Sequence, residues 1–129
     1  MRENLSKAEC NAVKKQILDA IAYVREQMGY TLISEDWGSP EHKCTCALGC
    51  LLLQDNPKDV VRIEAKENMT VAAELLNVTE AWTQDFLEGY DNNGAADGCS
   101  LPDAWKIGAD VRKETKPIAY HEWDGESDG

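Results

Sequence analysis

Residues 46–53 read Cys-Ala-Leu-Gly-Cys-Leu-Leu-Leu, an apolar stretch with no polar side chain on any face. A helix built from it has no side to turn toward water, so the rest of the chain must close around it. Thr45 stands where an N-cap belongs, and Asp55-Asn56-Pro57 supplies the stop. Gly49 leaves room for a neighbour to come close. The stretch is far too short to span a bilayer, so it predicts a buried central helix.

The elements around it carry ordinary amphipathic patterns. Ser6 and Glu9 form a capping box, in which hydroxyl and carboxylate satisfy each other's free backbone N–H groups. Behind them Val13, Ile17, Ile21, Val24 and Met28 recur at helical steps, and Gly29 ends the run. Tyr30 to Lys43 is a connector, broken by Gly38, Ser39 and Pro40, with a short extended piece near 30–33. Pro57 suits the first turn of a further helix, with a strand over 60–63 as the alternative. Thr70 caps a helix to Leu76, Asn77 terminates it in left-handed geometry, and Thr79 caps another to about Tyr90. Pro102 opens the last helix, whose apolar face is Ala104, Ile107, Gly108 and Val111, and Pro117 ends it.

The 129 residues suit one domain, and 43% apolar content with nine aromatics is enough for a core. The predicted fold is all-α: a single compact bundle of about five helices over residues 1–117, followed by a mobile acidic tail over 118–129. In that tail Glu122, Asp124, Glu126 and Asp128 surround Trp123. The N-terminus lacks the pattern of a secretory signal, and five cysteines are an odd count, so the chain reads as cytoplasmic with free thiols.

A net charge of −11 speaks against direct nucleic-acid binding and against anionic membranes, since both rely on Lys and Arg. The charge is also localised. Residues 67–103 carry eight acidic side chains and no Lys or Arg, hence −8 of the −11, while residues 1–66 nearly balance. One-sign surfaces steer partners of opposite charge. Within this stretch Trp82, Phe86 and Tyr90 recur every four residues, a spacing that serves a packed core more often than an exposed anchor. The candidate partner-binding residues are Glu74, Glu80, Asp85, Glu88 and Asp91, with Trp82 and Tyr90 as aromatic anchors.

Other chemistries have weaker patterns. His42, Cys44, Cys46 and Cys50 offer the soft donors zinc prefers, but their spacing is not that of a zinc knuckle, and cysteines on an apolar helix usually act as small hydrophobes. Cys44, placed at a helix start, is the candidate redox thiol. The loop 91–98 departs from a calcium-binding loop at the positions holding Ala95, Ala96 and Pro102, which leaves a polar turn. The pair over 71–88 resembles a helix-turn-helix in outline, yet its second helix offers only acids and Gln84 toward a groove. No serine sits in a nucleophile elbow, and no carboxylate pair stands apart from the rest.

The chain is therefore expected to be no enzyme and to need no cofactor. It reads as a small acidic binding protein whose face over residues 67–103 engages a basic protein surface, such as that of a nucleic-acid-binding protein. The sharpest form of this reading is a nucleic-acid-mimicking inhibitor of the anti-CRISPR-like kind used by phages and mobile elements. A zinc- or redox-responsive module on His42, Cys44, Cys46 and Cys50 is the alternative.

Overall fold

The capping box forms as the sequence requires. Ser6 N donates to Glu9 Oε1 at 2.8 Å and Glu9 N donates to Ser6 Oγ at 3.1 Å, opening α1 (Lys7–Gln27). The computed structural model describes residues 1–56 and 67–122. The element expected after Pro57 and most of the acidic tail, including Trp123, lie outside the described residues.

After α1 the chain forms β1 (Thr31–Ser34), β2 (Gly38–Ser39), β3 (Cys44–Thr45) and α2 (Ala47–Asp55). Then come α3 (Asn68–Leu76), α4 (Glu80–Tyr90), α5 (Pro102–Thr115) and β4 (Ile118–Ala119). The all-α expectation is thus corrected: the structure is helix-dominated but holds a four-stranded mixed sheet of order β2-β3-β1-β4. β1 runs parallel to β3 and to β4, and β2 is antiparallel to β3. Three of the four strands are two residues long, too short for side-chain alternation to appear in sequence.

The chain divides into two compact units, one comprising Met1–Gln16 and Met69–Lys116, the other Ile17–Asn68 and Pro117–Gly129. Helix α1 contributes a half to each.

In the first unit α4 and α5 pack directly against each other. Trp82, Phe86 and Tyr90 are all buried, with Trp82 1% exposed and the other two at 0%. Successive rings stack, with centroids 5.9 and 6.1 Å apart. Opposite them α5 buries Ala104, Ile107, Gly108 and Val111, the face expected for it. Backbones touch where glycines meet: a Cβ on Gly108 would overlap the Phe86 carbonyl, and one on Gly89 would overlap the Trp105 carbonyl. Thr79 Oγ1 accepts from Trp82 N at 3.3 Å and caps α4, while Asn77 takes a φ of 56° after α3. Thr70, expected as a cap, lies inside α3, two residues past its start. Lys14 Nζ reaches Glu114 at 2.6 Å, tying α1 to the last turn of α5.

In the second unit Ile17, Ile21 and Val24 continue the α1 stripe into the core. Every residue of α2 from Ala47 to Leu53 is buried, as the apolar stretch demanded. Its N-cap is Cys46, with no side-chain cap bond, and Thr45 belongs to β3 instead. The space left at Gly49 is filled by the Thr45 side chain, whose Oγ1 donates to Cys46 O at 3.2 Å. Gly38 takes a φ of +104°, and a Cβ there would run into the Cys44–Thr45 backbone, so β2 reaches β3 only with glycine.

Candidate acidic interface

The acidic side chains of the first unit divide by what they touch. Glu74 and Glu80 are exposed on α3 and at the first turn of α4, where Glu80 also complements the positive end of the helix. Glu80 Oε2 accepts from Thr70 Oγ1 at 3.1 Å. Asp97 and Asp103 are likewise exposed, in the loop after α4 and the first turn of α5.

Asp85 and Glu88 have structural duties that the sequence pattern did not reveal. Asp85 Oδ2 accepts from Leu101 N at 2.9 Å, which fixes the entry to α5 in place of a capping side chain. The Cys99 thiol donates to Glu88 Oε2 at 3.7 Å. Asp85, Glu88 and Cys99 place one donor atom each within 4.8 Å of the others, and all three are half-buried. Burial and the two carboxylates push the Cys99 thiol up, so it stays a protonated donor to Glu88. Asp91, half-buried, is the C-cap of α4, and its N–H donates to Leu87 O.

The aromatic anchors are corrected by their burial. Trp82 and Tyr90 fill the first unit's core, and neither presents a ring to a partner. The acidic surface therefore lacks the Trp82–Phe86–Tyr90 stripe.

The thiol and imidazole set is corrected as well. Cys44, Cys46 and Cys50 are each 1–2% exposed, whereas His42 is exposed in the turn before β3. Among the described residues no three of these four bring ligand atoms within 4.8 Å of one another. Cys44 lies in β3 and not at a helix start, and burial pushes its thiol up, as it does that of Cys50 more strongly. A protonated, buried thiol is not a ready nucleophile. In the loop 91–98, Asn92 and Gly94 take φ of 62° and 68°, the left-handed pair that closes a polar turn.

Arg2 was not singled out in the sequence. Its guanidinium donates to Leu76 O at 2.7 Å and to Asn77 O at 2.9 Å, capping the C-terminal carbonyls of α3, and meets Glu9 at 3.3 Å. A lone arginine near an N-terminus carries no local signal of a cap more than seventy residues away.

Among the described residues no helix is long and apolar enough to cross a membrane. The chain matches no family model, no curated protein and no solved structure.

Proposed function

We propose that this chain is a non-enzymatic binding protein whose acidic surface over α3, α4 and the loop into α5 docks on a basic protein surface and blocks it. The observation that carries the reading is the charge segregation: residues 69–103 of the first unit contain seven acidic side chains and no Lys, Arg or His. Glu74, Glu80, Asp97 and Asp103 among them are exposed. A one-sign field of this kind speeds encounter with a cation-rich partner and costs stability by self-repulsion, so it is explained by a partner. A partner that normally holds nucleic acid fits this field best, because its groove already presents Lys and Arg to phosphates. In that form the protein is a nucleic-acid mimic that occupies the groove, as an anti-defence inhibitor of a phage or mobile element does.

The test uses variants that spare Asp85 and Glu88, since these hold the α4–α5 connection. Immobilised wild-type protein should retain a basic partner from a host lysate at low salt and release it near 0.5 M salt, as screening requires (on the order of a 3–10 Å Debye length). Glu74→Lys, Glu80→Lys and Asp97→Lys together should abolish retention while leaving the circular dichroism unchanged. Equal retention by the triple variant overturns the reading.

A further inference from the structure

We infer that the first unit carries a second site, a small pocket between α1 and α5 that takes a zwitterion of amino-acid size with an apolar side chain. The pocket measures about 260 Å³ and is lined by Lys7, Cys10, Asp103, Lys106 and Ile107. Lys7 and Cys10 stand three apart on α1, and Asp103, Lys106 and Ile107 stand at i, i+3 and i+4 on α5, so each helix offers one face to the same space. The volume falls below the roughly 300–1,000 Å³ of pockets for drug-sized ligands, which limits the occupant to a small metabolite.

The charges around the pocket set the ligand's chemistry. Two ammonium groups and one carboxylate surround it, yet Lys7, Asp103 and Lys106 make no ion pair with one another. Lys14, also on α1, is by contrast held by Glu114 at 2.6 Å. Opposite charges that line one space without pairing across it can each pair with a ligand bearing both signs. A ligand carboxylate sits between Lys7 and Lys106, and its ammonium group faces Asp103. The floor is Ile107, 7% exposed, with the half-buried Cys10 thiol beside it. That thiol donates to Leu5 O at 3.9 Å and is pushed up by burial and by the Asp103 and Glu9 carboxylates, so it is a neutral wall for a side chain. The site borders the acidic docking surface, with which it shares Asp103, and differs from it in the two lysines, which lie outside residues 67–103.

The test is a titration of the full ¹⁵N-labelled chain with L-leucine and with L-methionine, read by backbone amide shifts. Saturable shifts should centre on Cys10 and Ile107. L-Leucinamide, which lacks the carboxylate, and 4-methylpentanoate, which lacks the ammonium group, should each bind at least ten-fold more weakly. Lys106→Met and Asp103→Asn, both at exposed positions, should weaken L-leucine binding by a similar factor, as expected for loss of one charged hydrogen bond. Absence of saturable shifts overturns the proposal. Equal binding by 4-methylpentanoate also overturns it, since the pocket then selects only an anion.

Discussion

Replacing Gly108 by alanine tests the closest contact in the first unit. A Cβ at that position overlaps the Phe86 carbonyl oxygen and lies 2.8 Å from Tyr90 N and 2.9 Å from Phe86 C. Ordinary contact distances are nearer 3.5–4.0 Å. The obstructing atoms are backbone, so no rotamer change relieves them, and α4 must move away from α5. That movement loosens the packing of Phe86 and Tyr90, both fully buried, against the α5 face. Overpacking of a well-packed core costs about 1–3 kcal/mol, and a backbone obstruction belongs at the upper end. Alanine returns about 1 kcal/mol of helix propensity, so the net loss is about 2 kcal/mol. In urea, with a slope of about 1–3 kcal/mol/M, the midpoint should fall by about 1 M. Tryptophan fluorescence reports it, since Trp82 and Trp105 both lie in this unit. Gly98→Ala is the control, because a Cβ there meets nothing within 4 Å, and its midpoint should stay within experimental scatter of wild type. Gly89→Ala should resemble Gly108→Ala, and the double variant should lose less than the sum because the helices separate once. A Gly108→Ala protein as stable as wild type would refute a crossing held by backbone contact.

Arg2→Ala removes the cap on the α3 carbonyls, and because the arginine side chain is 32% exposed the loss should be about 1 kcal/mol, read as a lower urea midpoint. A thiol titration in the folded state should reach Cys10 and Cys99 only, with all five thiols reacting in denaturant; rapid reaction of Cys44, Cys46 or Cys50 in the native protein would contradict their burial. His121 Nδ1 lies 2.6 Å from Glu35 Oε1, and this bond and charge raise the His121 pKa above its ordinary value. The protonated ring is the stabilising form, so the contribution is complete below the unfolded histidine pKa near ~6.5 and is lost as pH rises through the raised folded value. Proton NMR of Glu35→Gln should move the His121 titration downward, and an unmoved midpoint would rule out the pair.

How much of this was legible follows from how far along the chain each signal acts. The α1 capping box, the Thr79 cap, the left-handed Asn77 and the buried α2 each depend on residues within one or two turns, and the sequence displays them directly. The sheet joins segments far apart, with Ile33 opposite Ile118 and Thr31 opposite Cys44, and two-residue strands leave no period to read. Long range also hid the caps that Arg2 and Asp85 supply to helices they do not belong to. The acidic surface shows the limit most sharply. Charge counting located it, because charge adds along a chain whatever the fold. The same counting assigned one role to all its carboxylates, whereas Asp85 and Glu88 bind the chain's own Leu101 and Cys99. The Trp82–Phe86–Tyr90 spacing favours a core without excluding an interface. The pairing with α5 decides it, through Gly89 and Gly108 standing where the two backbones meet. A glycine on each of two consecutive apolar stripes was therefore the readable mark of a helix pair facing inward, and it turns the aromatic stripe from a docking anchor into the support beneath the acidic surface.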